Sequence, residues 1–84
     1  MNLAELGLEP GDRVRFRRRA NERWKEGTVS RRERDGSVGL FDAKGAARAI
    51  KVDIIEVHAV GPRGGVVWEP LPERAARTEQ MRLL

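Results

Sequence analysis

The sequence predicts a small all-β domain: a five-stranded barrel followed by a short C-terminal tail or helix. Three observations carry this. Residues 12–17 alternate strictly between polar and apolar, which is the period of a half-buried strand. Turn-forming pairs recur at short intervals. Five short strand-like runs fall within about 50 residues, the pattern of a small closed or partly closed barrel.

Leu3, Leu6 and Leu8 give residues 1–9 the makings of a cap segment over a core, and Pro10-Gly11 ends it. In the first strand Val14 and Phe16 share one face, and Arg13, Arg15 and Arg17 share the other, about 6–7 Å apart along the strand. Residues 18–23 lack apolar side chains except Ala20 and read as a loop. Residues 24–32 form the next strand, with Gly27 marking a bulge or a close backbone approach. Asp35-Gly36 is a hairpin signal leading into residues 37–42, where Phe41 is expected, like Phe16, in the core. A second turn at Ala43-Lys44-Gly45-Ala46 leads to a strand at 47–52, and Asp53-Ile54 turns into a last one through Val57. Gly61-Pro62-Arg63-Gly64-Gly65 is a breaker cluster. Val66-Val67-Trp68 beyond it either adds a strand or folds back over an open barrel end, since Trp68 is too large to leave in water without a reason. The barrel is placed at residues 10–69 and the tail at 70–84. That tail is expected to be helical at most in part, because its apolar positions do not hold a 3.6 period.

Eighty-four residues support one compact core. The absence of cysteine excludes a disulfide framework, a thiolate nucleophile and thiolate-bound zinc. A single histidine, His58, cannot build a multi-histidine metal site. Asp12, Asp42, Asp53 and Glu56 are scattered and expected to serve turns, and no phosphate loop or nucleophilic triad is present. Neither enzymatic activity nor a cofactor is expected. No apolar run approaches the length of a membrane span, and MNLAELGLEP lacks a basic stretch before an apolar one, so a cytoplasmic module, monomer or weak dimer, is expected.

The positive charge is unevenly placed. Residues 13–34 hold ten basic and three acidic residues, whereas the rest of the chain is net acidic. Such a concentration is the footprint of a nucleic-acid contact. The candidate residues are Arg13, Arg15, Arg17, Arg18, Arg19 and Arg23, with Trp24 as a stacking surface; nothing suggests base-specific readout. Two other readings stay open. Arg13 and its neighbours could pair with acids across the sheet and serve solubility, or the stripe could meet an acidic protein surface.

Gly11-Asp12-Arg13-Val14, Trp24-Lys25-Glu26-Gly27-Thr28-Val29 and Val38-Gly39-Leu40-Phe41-Asp42 resemble the strand motifs of Tudor-like domains, a branch of the SH3-like barrels. Residues 50–57 resemble their closing strand, short turn and last strand. The resemblance covers roughly residues 10–60 and extends to the C-terminal Tudor-like domains of bacterial repair helicases. It implies a five-stranded barrel and a role in DNA metabolism, contacting DNA rather than RNA, or RNA polymerase. Methyl-cation reading is not implied, because Ala43 stands where a cage tyrosine would be expected.

Gln80-Met81-Arg82-Leu83-Leu84 resembles the bacterial sliding-clamp-binding pentapeptide, at the end of the sequence behind a charged spacer. The resemblance implies that Gln80, Met81, Leu83 and Leu84 contact a clamp. The competing reading packs Met81, Leu83 and Leu84 on the barrel as a helix.

Overall fold

The computed structural model describes residues 2–82. Six strands, β1 (Arg13–Phe16), β2 (Lys25–Arg32), β3 (Val38–Asp42), β4 (Ala47–Ile50), β5 (Ile55–Val60) and β6 (Val66–Pro70), form one antiparallel sheet in the order β4-β3-β2-β1-β5-β6. A 3-10 turn at Leu3–Leu6 precedes β1, another at Val52–Ile54 leads into β5, and helix α1 (Leu71–Arg82) follows β6.

The sheet is open, with β4 and β6 as its edges. This corrects the expected five-stranded barrel in both count and closure. Alternation tells which face of a strand is buried, but closure depends on twist, tilt and the pairing of the two end strands, which no residue pattern states. The sixth strand is the Val66-Val67-Trp68 run, which pairs with β5 so that Trp68 lies opposite His58 and Val66 opposite Val60.

One face of the sheet carries the core: Val14 and Phe16 of β1, Val29 of β2, Val38 and Leu40 of β3, Ile50 of β4, and Ile55 and Val57 of β5. Leu3, Leu6, Leu8 and Leu71 close over it, and all twelve are buried. Phe41 is not among them. It pairs with Thr28 on the opposite face and is 48% exposed, because of two consecutive apolar residues on a strand only one, here Leu40, can face inward. Gly27 is a close-approach point, since a Cβ there would stand 2.7 Å from the Phe41 carbonyl oxygen and 2.8 Å from a Leu40 methyl. The bulge in β2 lies beyond it, between Val29 and Arg31.

Three hairpins use one turn. The amide of Gly36, Gly45 or Gly64 donates to the carbonyl three residues back, and the amides of Glu33, Asp42 and Gly61 donate to Ser37, Ala46 and Gly65. Each turn needs a left-handed residue at its fourth position, and glycine supplies it with φ of 92°, 82° and 81°. Asp42 also accepts from the amides of Lys44 and Ala46 and from the Arg48 guanidinium. Arg48 first and then the Ala46 amide hold its carboxyl below the usual carboxylate range.

Helix α1 is continuous over twelve residues, where a partly helical tail was expected. Its stability is tertiary. Leu71 is fully buried, Ala75 packs beside it at the i+4 position, and Pro72 lies in the first turn, where a missing N–H costs nothing. Glu69 accepts from Arg74 Nε at 2.7 Å and from Arg77 at 2.7 and 3.0 Å, which ties α1 to β6. With only Leu71 and Ala75 docked, a full apolar stripe is unnecessary, and Met81 stands 66% exposed.

Candidate functional site

The face opposite the core collects the arginines of β1. Alternation puts Arg13 and Arg15 there, and antiparallel register sets Arg15 opposite both Glu26 of β2 and Glu56 of β5. Arg13 pairs with Glu26 at 3.2 Å in an exposed contact. Arg15 donates from Nε at 2.8 Å and from Nη2 at 2.5 Å to Glu56 Oε1, with both side chains about one quarter exposed.

The two tryptophans gather round this pair. The guanidinium carbons of Arg15 and Arg17 each lie 4.0 Å from the Trp24 ring centroid. Side chains two residues apart on a strand stand about 6.6 Å apart, roughly twice a stacking distance, and the Trp24 indole occupies that gap. Arg15 also lies 4.7 Å from the Trp68 centroid, and the edge of His58 meets Trp68 at 5.4 Å and 84°. A stack of alternating cations and rings thus runs from Arg17 through Trp24 and Arg15 to Trp68, joining β1 to the sixth strand across β5.

Arg17 is held loosely: among the described residues its side chain makes a single 3.5 Å contact, from Nη1 to the Glu22 carbonyl. Arg18, Arg19 and Arg23 on the loop are exposed and have no ion-pair partner among the described residues. A shallow cleft of about 260 Å³ lies beside them, lined by Arg17, Arg18, Arg19 and Trp24 and by the acids Asp53 and Glu56.

The predicted arginines therefore divide. Arg17, Arg18, Arg19 and Trp24 come together round one cleft with Arg23 nearby, whereas Arg13 and Arg15 already hold carboxylates. Reasoning from sequence missed Glu56 and His58. It gave Trp68 no role at this face, although its size marked it as needing a partner. Trp24 and Phe41 make no ring contact among the described residues.

Gln80 and Met81 are exposed in the last turn of α1, so neither the extended form of the pentapeptide nor packing of Met81 on the sheet is what these two residues adopt. Leu83 and Leu84 lie outside the described residues. Among those described, no group of three or more His, Asp or Glu is placed to hold a metal, and no helix is long and apolar enough to cross a membrane.

The fold and this face define a small open-sheet domain with a basic, tryptophan-lined surface. The chain matches no family model, no curated protein and no solved structure.

Proposed function

We propose that the chain is a non-catalytic nucleic-acid-binding module, with DNA as its partner, that contacts phosphates through Arg17, Arg18, Arg19 and Arg23. The observation that carries this is the placement, beside an indole, of four loop cations that have no carboxylate partner among the described residues. Each guanidinium offers a planar donor fork that fits phosphate oxygens. The 3-10 turn before β5 agrees with the strand, short turn and last strand of Tudor-like domains and supports that resemblance over residues 10–60, although the sheet here stays open.

The experiment is a DNA titration across salt concentrations. Four neutralised phosphates give a slope of log affinity against log salt near −3.6, so raising salt from roughly 50 to 200 mM weakens binding on the order of 10²-fold. A slope shallower than about one, or unchanged binding after Arg17, Arg18 and Arg19 become serine, overturns the reading. Binding of an acidic protein such as RNA polymerase without DNA would reassign the same arginines to a protein surface.

A second contact, with a sliding clamp, is favoured by the exposure of Gln80 and of Met81. An extended bound form requires the last turn of α1 to open, at the cost of the hydrogen bonds its N–H groups donate to the preceding turn. Removal of residues 80–84 is expected to abolish clamp binding and leave DNA binding intact. Clamp binding that survives the removal, or its absence from the full chain, overturns this contact.

A further inference from the structure

We infer that this face takes single-stranded DNA in preference to duplex, with a base stacking on Trp24 in the place Arg17 occupies; the inference rests on the nucleic-acid reading above. The two cations on Trp24 are held very differently. Arg15 is held by two hydrogen bonds to Glu56 and by contact with Trp68, so the part of the indole it covers is the harder one to free. Arg17 has a single long contact to a backbone carbonyl and no carboxylate. Of the two cations on Trp24, Arg17 is the one that can leave without stranding a carboxylate.

The exchange is favourable on both sides. A cation over a ring is worth about two- to five-fold in an equilibrium at the surface and about 30-fold when desolvated, with Trp24 and Arg17 half-buried between these limits, and a base stacked on an aromatic side chain is worth about 5- to 150-fold. The displaced guanidinium does not return to water alone, because the phosphate of the incoming nucleotide lies within its reach and is its natural partner. The cleft beside Trp24 is lined by Arg17, Arg18 and Arg19, which would meet the phosphates, and also by Asp53 and Glu56. A duplex cannot make this exchange. Its base faces are stacked on one another and only its phosphates are offered, so it gains the arginine contacts alone. Stacking is indifferent to base identity.

The test compares a deoxythymidine oligonucleotide with a mixed-sequence duplex of equal length, both titrated into the full chain at one salt concentration. Tighter binding of the single strand is expected. Trp24→Leu is expected to weaken single-strand binding about 5- to 150-fold while leaving duplex affinity and the salt slope in place. In a Trp68→Phe background Trp24 is the sole indole, and its emission is expected to be quenched as oligonucleotide is added. That readout holds even where Trp24→Leu fails to fold. Equal or tighter duplex binding, an equal loss for both ligands, or unquenched emission from a bound complex overturns the inference and leaves the phosphate contacts standing. Failure of both nucleic acids to bind removes the inference and the nucleic-acid reading together.

Discussion

Glu56 receives two hydrogen bonds from Arg15 on a single oxygen, Oε1, from the position directly opposite on the β1–β5 ladder. The pair lies between the surface and buried regimes, since both side chains are about one quarter exposed and the indoles of Trp24 and Trp68 shield the guanidinium. An exposed ion pair contributes about 0–1 kcal/mol, and breaking a fully buried one costs about 3–5 kcal/mol. Glu56→Leu is therefore expected to destabilise the domain by about 1–2 kcal/mol, because it leaves a shielded cation without its acceptor. Adding Arg15→Met is expected to restore most of that loss by letting two apolar side chains meet under the indoles. Urea unfolding of both variants checks this. A double variant no more stable than Glu56→Leu would show that the two side chains are not coupled.

Acid should loosen the join between β6 and α1. Arg77 first, and then Arg74, holds the Glu69 carboxyl below its ordinary range. A carboxylate whose folded-state pKa is lowered contributes stability in full above its unfolded value, about 4.3, and loses it as pH falls through the lower folded value. Unfolding midpoints measured between about pH 6 and 2 are expected to fall at the acid end. Glu69→Gln is expected to lower stability near neutrality and flatten part of that acid limb. The remaining slope belongs to Asp35, lowered by its hydrogen bonds with Ser37, and to Asp42, lowered chiefly by Arg48. An acid limb identical in Glu69→Gln and the parent would mean that the carboxylate holds nothing in solution.

The second anchor of α1 is apolar. Leu71 is fully buried at the start of the helix, whereas Met81 near its end is 66% exposed. Leu71→Ala is expected to cost about 2–4 kcal/mol in unfolding free energy through lost transfer energy and a residual cavity. Met81→Ala is expected to stay within about 0.5 kcal/mol of the parent. Comparable losses at the two positions would show that Met81 packs in solution, against its exposed position here.

Local geometry was legible in the sequence where one residue type decides it. Val14 and Phe16 announced the core face of β1, and Asp35-Gly36 and the glycines at 45 and 64 marked turns that need a left-handed residue. Partnership across strands was not legible. Alternation puts Arg15 on the outer face, but only the pairing of β5 with β1 shows that Glu56 is its acceptor, and only the pairing of β6 with β5 brings Trp68 within reach. The loop arginines were more nearly legible because their role rests on local charge density and on no cross-strand pairing. The helix was hidden because it docks through Leu71 and Ala75 and ion pairs to Glu69, leaving no periodic stripe to read.

Gly27 tests how tightly β2 meets β3. Its position on β2 faces Leu40, and a Cβ there would stand 2.8 Å from a Leu40 methyl and 2.7 Å from the Phe41 carbonyl oxygen. The methyl could turn aside, but the carbonyl belongs to the backbone of β3 and can retreat only if the β2–β3 ladder shifts. Gly27→Ala is therefore expected to destabilise the domain by about 1–3 kcal/mol, the range for forcing an added methyl into a packed site. Gly65 is the matched control, since a Cβ there meets nothing within 4 Å and its φ is not left-handed. Gly65→Ala is expected to be neutral or to stabilise by up to about 1 kcal/mol, by restricting the unfolded chain. Urea midpoints of the two variants side by side separate strain from loss of glycine as such. If Gly27→Ala unfolds with the parent, β2 and β3 can part in solution without cost, and the close approach at Phe41 does not constrain the sheet.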